Sequence, residues 1–201
     1  MPLSTVRDAY AVRSAEYIDL LGSIEDTAEQ DREYVLAWAQ RVDGRIVDVG
    51  CGPGQWTNYL HENGLEVVGV DPVPAFIDHA RQRYPGTTCR VGDAGQLDAD
   101  DASLGGVLAW YSLIHTAPDD LDSILHELAR SLRSGGSLMI GFFGGPELVA
   151  FDHAVTTAYS WPVAVLSARV QQAGFTIADT QTRADPGARP HAAIIARKLR
   201  D

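Results

Sequence analysis

An α/β fold built on a mostly parallel sheet is what this 201-residue chain predicts, and three observations carry it. Short apolar runs alternate with amphipathic stretches from residue 46 onward. The run Ile46-Val47-Asp48-Val49 is followed at once by three glycines in five positions, Gly50, Gly52 and Gly54. Acidic residues, Asp71 and Asp93, then end the next two runs. Strands alternating with helices form right-handed βαβ units, and such sheets bind ligands at the carboxyl ends of their strands. The glycine loop lies at that end of the first strand.

Residues 5–21 (TVRDAYAVRSAEYIDLL) read as a helix. A second is expected over 27–41, with Thr27 as cap and Tyr34, Val35, Trp38 and Val42 at helical spacing. Strand 46–50 opens the core, and a helix over 55–62 stops before Asn63-Gly64. Strand 66–70, Asp71-Pro72, a helix at 74–83 and strand 87–91 follow. Strand 107–111 leads to a helix from near Asp119, where Leu121, Ile124, Leu125, Leu128 and Leu132 make one buried stripe. Ser134-Gly135-Gly136 ends that helix and turns into strand 137–143. After an irregular segment, 144–161, come a helix (162–173), a stop at Gly174, strand 175–181 and a last strand at 191–198. Without internal repeats or low-complexity linkers, the length suits one domain, residues 1–201.

Composition narrows the function. The formal charge is −11 and the basic residues are scattered, so the field repels phosphate backbones and anionic membranes. Neither a nucleic-acid nor a membrane partner is expected. No apolar stretch reaches the ~20 residues of a membrane span, and the first residues lack the apolar core of a signal peptide. Cys51 and Cys89 fit neither a zinc pattern nor a disulfide framework, so no metal is expected and the reading is a cytoplasmic protein with reduced thiols.

The loop reads G-x-G-x-G. A dinucleotide fingerprint, G-x-G-x-x-G, has glycine or alanine where this chain has Gln55, and Trp56 follows. Both bulky residues argue against a pyrophosphate on the helix end. Asp71, 21 residues after Gly50, is placed to accept hydrogen bonds from a ribose diol; the plainer reading is a strand-end aspartate capping the next helix. Asp93 can accept from an exocyclic amine while the Ala94 N–H donates to a ring nitrogen, as adenine requires; alone it is an ordinary turn residue.

Together these residues resemble the class I S-adenosylmethionine-dependent methyltransferases, small-molecule type. VDVGCGPG is similar to the family's first motif, VVGVDP to its ribose-binding strand end and GDAGQL to its adenine-binding turn. VLAWYSLIH resembles the strand before the substrate and LRSGGSLMI the late turn and strand. The resemblance implies a Rossmann-like fold: a seven-stranded sheet of order 3-2-1-4-5-7-6, strand 7 antiparallel, with helices on both faces. It implies S-adenosylmethionine as cofactor, approached by the backbones of Gly50, Cys51 and Gly52, with Gly54, Trp56 and Pro72 nearby. Asp71 would hold the ribose, and Asp93 with Ala94 the adenine. Ala109 and Trp110 would flank the amino-acid end, and Asp48 would orient loop N–H groups or the cofactor ammonium. Residues 1–42 would form a helical lid bringing Tyr10 and Tyr17 over the cofactor, 45–143 the cofactor-binding core, 144–161 a substrate-side lid, and 162–201 the closing helix and strands. SLGG at 103–106 departs from the Phe-Asp many relatives carry there.

The acceptor is expected to be a small molecule methylated at O, N or C. Only the first ~40 residues and 144–161 are left to build its site. His115, just past strand 107–111, is the first candidate base, set against a histidine that merely holds the 112–118 loop; His153 is the second. Tyr111, Tyr159 and Trp161 are candidate substrate contacts. His61, His79 and His126 fall on helices and read as surface or partly buried. Two rivals stay open: a module that binds the cofactor without turnover, and an NAD(P)-dependent oxidoreductase. Monomer and homodimer are both compatible.

Overall fold

The computed structural model describes residues 3–200; residues 1, 2 and 201 of the expected domain lie outside them. Strand β1 (Ile46–Val49) is buried at all four positions, as an apolar run covered on both faces must be. It pairs in parallel with β2 (Val67–Asp71) on one side and β4 (Leu104–Trp110) on the other. β3 (Thr88–Val91) adds beyond β2, and β5 (Leu132–Gly144) beyond β4. β9 (His191–Lys198) runs antiparallel to β5 over seven registered pairs from Ser137↔Arg197 to Phe143↔His191, and β8 (Phe175–Arg183) runs antiparallel to β9. The resulting order, β3-β2-β1-β4-β5-β9-β8, is the expected 3-2-1-4-5-7-6.

Nine strands are present among the described residues rather than seven. The two extra ones come from the segment expected to be irregular: β6 (Val149–Phe151) and β7 (Ala158–Trp161) form a hairpin, and β7 continues the sheet beside Phe143 and Gly144. Three- and four-residue strands are too short to show a period of two in sequence.

The helices keep close to expectation from residue 55 onward: α4 (Gln55–Glu62), α5 (Pro74–Arg83), α6 (Pro118–Ser131) and α7 (Val163–Gln172). The expected helix 5–21 is two helices, α1 (Leu3–Val12) and α2 (Ser14–Leu21), broken at Arg13. Thr27 does not cap the next helix. Its hydroxyl donates to the Ile24 carbonyl of a 3₁₀ turn, and α3 (Glu29–Ala39) starts after an extended Ala28. Leu132 belongs to β5, pairing with Leu104, not to the helix stripe.

Side-chain alternation along β1 sorts the core. Val47 and Val49 pack with Leu121, Leu125 and Leu128 of α6, while Ile46 packs with Trp38 of α3 and Leu60 of α4. Asp48 therefore points to the α4 side, into the helix that the glycine loop begins.

Candidate active site

At the end of β1 the chain turns with φ +66° at Gly50 and +55° at Gly52, the left-handed region that favours glycine. A Cβ on Gly50 would lie 2.3 Å from the Ser112 Cβ. At Gly52 the nearest atom would be the Tyr17 ring at 3.8 Å, so this position opens onto space. Gly54 serves packing instead: a Cβ there would meet Ala80 of α5 at 2.7 Å. The Cys51 thiol turns away into a cluster with Ile77, Ala80 and Cys89, leaving its backbone to the cavity.

Two adjoining cavities meet at this loop. A slot of about 130 Å³ runs over Asp71, Pro72, Phe76, Asp93 and Ala94. A chamber of about 400 Å³ lies on the other side, over Asp48, Gln55 and Trp56. Gly50, Gly52, Tyr10, Tyr17, Trp110 and Tyr111 line both.

Two carboxylates, Asp71 and Asp93, stand at strand ends, and a third, Asp48, lies within β1. Asp71 accepts from the Gly52 N–H at 2.9 Å and the Val73 N–H at 2.8 Å, one on each oxygen, and burial raises its pKa to about 6. Asp93 accepts from the Gly95 N–H at 2.8 Å in a tight turn. Asp48, buried inside the sheet, accepts from the Thr57 hydroxyl at 2.7 Å, and burial raises its pKa to about 7. Its side-chain bond runs to Thr57 of α4 rather than to the glycine loop.

The three histidines divide by their partners. His115 is buried with both nitrogens engaged. Nδ1 lies 2.8 Å from the Thr157 carbonyl, which only accepts, so Nδ1 carries the proton. Nε2 then accepts from the Tyr10 hydroxyl at 2.9 Å. Burial lowers the His115 pKa, which favours this neutral ring, and raises that of Tyr10. His191 pairs through Nδ1 with the Tyr111 hydroxyl. His153 lines the chamber with Nδ1 buried and unpartnered, and its ring centroid is 5.1 Å from that of His115. Burial, with Arg189 and Arg13, lowers its pKa.

Tyr10 of α1 and Tyr17 of α2 cross edge to face at 5.5 Å and pack on Phe76 of α5, so the first two helices cover the cavities. Trp110 and Trp56 meet at 5.8 Å on the chamber wall. Gly141 makes room for the Trp110 ring, which a Cβ would approach to 2.6 Å. Tyr111 holds φ +55°, uncommon for a bulky residue, as the chain leaves β4.

Four expected site residues line neither cavity: Gly54, which packs on Ala80 of α5, and three more. The Ala109 side chain is fully buried in the core beneath the sheet. Trp161 is buried there too, under the Arg169 guanidinium at 5.3 Å, and Tyr159 packs against the same core. All three alternate away from the cavity face of their strands. Other wall residues were not expected: Ser112, Gln55, Phe143, His191 and the Arg183–Asp31 ion pair. The site meaning of His191 depends on its register with Phe143 across β5 and β9, which local sequence does not show.

Residues 46–136 match a family model described as a methyltransferase domain. An uncharacterized methyltransferase of Mycobacterium bovis is 39% identical over 97 residues, 47% of this chain and 37% of that protein. The chain thus spans little more than a third of that relative's length. Among solved structures, the 1,6-didemethyltoxoflavin N1-methyltransferase of Burkholderia thailandensis, with 1,6-didemethyltoxoflavin and S-adenosylhomocysteine bound, superposes with a TM-score of 0.81 at 22% identity, covering 98% of this chain and 88% of that one. The [4+2]-cyclase SpnF superposes with a TM-score of 0.85 at 18% identity, over 100% of this chain and 98% of that one. At these identities the two superpositions establish the fold and leave the chemistry to the site.

Proposed function

We propose that this chain, whose residues 46–136 match a methyltransferase-domain model, is a class I S-adenosylmethionine-dependent methyltransferase that transfers a methyl group to a small molecule. The observation that carries the reading is the slot with Asp71 and Asp93 on its walls, joined through the Gly50–Gly52 backbone to a larger chamber. The residues fit the cofactor. Each Asp71 oxygen accepts one backbone N–H and keeps a lone pair for a ribose hydroxyl. Asp93 keeps its second oxygen for an adenine amine. Ser112 Oγ, on the slot wall, and Gln55 Oε1, on the chamber wall, are buried without partners, a state that calls for a polar ligand.

Bound S-adenosylmethionine supplies a methyl group activated on a sulfonium sulfur. The protein's work is then alignment, exclusion of water and, for an O–H or N–H acceptor, removal of a proton. Tyr10 and Tyr17 close the loop side. His115 positions Tyr10, since both of its nitrogens are already engaged. His153, which lines the chamber and whose lowered pKa favours the neutral ring, is the base.

Calorimetry with S-adenosylhomocysteine should show one site. Metabolite extracts incubated with the protein and methyl-labelled cofactor should yield label in a small molecule. Failure to bind S-adenosylhomocysteine would remove the reading; binding with no label transferred would leave a module that only senses the cofactor.

A further inference from the structure

We infer that the acceptor is a flat, uncharged aromatic or heteroaromatic molecule carrying an ionisable ring-borne O–H or N–H. This deepens the reading above and rests on it.

The chamber's shape comes from rings. Trp110, Tyr111, Phe143, His153 and His191 form a chain of contacts with centroids 5.3–6.1 Å apart, Tyr111 against Phe143 being the closest. Several of these are edge-to-face pairs, in which one ring covers its neighbour's face and keeps its own for a third partner. A flat ring system is the ligand that uses such faces. The chamber, at about 400 Å³, must also take the methionyl end of the cofactor, which leaves room for a compact ring system rather than a long chain.

Charge excludes the main alternative. Among the described residues Arg183 is the only arginine or lysine lining the chamber, and its guanidinium is held by Asp31 and Asp185. Asp26, Asp31 and Asp48 line the same walls. A carboxylate or phosphate acceptor would lose its hydration and find no unpaired cation among the described residues lining the chamber, Arg189 being stacked over Phe151 behind His153, inside a chain whose net charge is −11.

Proton chemistry selects the acceptor atom. A neutral imidazole has a practical reach toward a phenol-like group, near pKa ~10, but not toward an aliphatic hydroxyl close to water's ~15.7. As the acceptor oxygen or nitrogen bonds to the methyl carbon, its proton goes to His153, and the carbon–sulfur electron pair stays on sulfur, giving a neutral thioether.

The test uses 2-naphthol and 4-hydroxyquinoline against trans-aconitate and malonate. With S-adenosylhomocysteine saturating, calorimetry should detect the two aromatic probes and neither carboxylate. With labelled cofactor, at least one aromatic probe should take label, and His153→Gln should slow that transfer about 10²–10⁴-fold. His153→Asn guards against a folding defect, and both variants should bind S-adenosylhomocysteine within about twofold of wild type. Carboxylates that bind more tightly than the aromatic probes overturn the inference. So do aromatic probes that fail to bind, or that bind and accept no label, while S-adenosylhomocysteine still binds. Loss of S-adenosylhomocysteine binding by the wild-type protein is the separate failure of the cofactor reading.

Discussion

The carboxylate of Asp71 is engaged before any ligand arrives, holding the Gly52 and Val73 N–H groups. Asp71 thus shapes the loop as well as the proposed ribose site. Its pKa of about 6 gives that second role a pH signature. A ribose diol donating to the ionised form lowers this pKa on binding, so affinity is full above about pH 6 and falls as pH drops through it. Asp48, raised to about 7, titrates above it. Asp71→Asn should weaken S-adenosylhomocysteine by about 1.5–3 kcal/mol and remove the lower of the two steps, measured by calorimetry from pH 5 to 8. An unchanged profile would place the ribose elsewhere. At this scale the sequence was informative where one residue type has few uses. Glycines after an apolar run and aspartates at strand ends were legible, because positive φ and a carboxylate at a set distance are local properties. The Tyr111–His191 pair, the Arg183–Asp31 pair and the free nitrogen of His153 were not, because each needs two distant segments placed side by side.

Elements meet at His115, which ties α1, through Tyr10, to the Thr157 carbonyl in the turn between β6 and β7. Helix α1 and the β6–β7 turn are thus fastened to one ring on the β4–α6 connection. His115→Asn cannot span both partners and leaves a buried hydroxyl or carbonyl unsatisfied. Its cost should be about 1–3 kcal/mol of stability by chemical denaturation, with faster amide exchange in α1 and the hairpin. A rate loss of 10²-fold or more with unchanged stability would instead make His115 the base. Helices α4 to α7 were legible nearly to the residue, because helical spacing, Pro at the first turn and Gly after the last are strong local signals. The hairpin was not. Its strands are three and four residues long and are fixed by pairing with each other and with the end of β5.

The whole molecule should distinguish cofactors by stability. The first turn of α4 buries Gln55, Trp56 and Thr57, so no open helix end is offered to a pyrophosphate. S-Adenosylhomocysteine at 100 times its Kd adds about 2.7 kcal/mol, which for this chain length raises Tm by roughly 5–10 °C. NAD and NADP should leave Tm unchanged; the reverse ranking would favour an oxidoreductase. Strand order and the antiparallel last strand followed from family likeness rather than from local pattern, since parallel and antiparallel partners of a buried strand look alike in sequence. That order also sets a schedule. β9 sits between β5 and β8 yet is translated after both. While a ribosome is making this chain, β1 to β4 can already close over the glycine loop, but β5 keeps an open edge and β8 has no neighbour to join. The nascent protein must hold that gap free of strangers until β9 emerges to fill it.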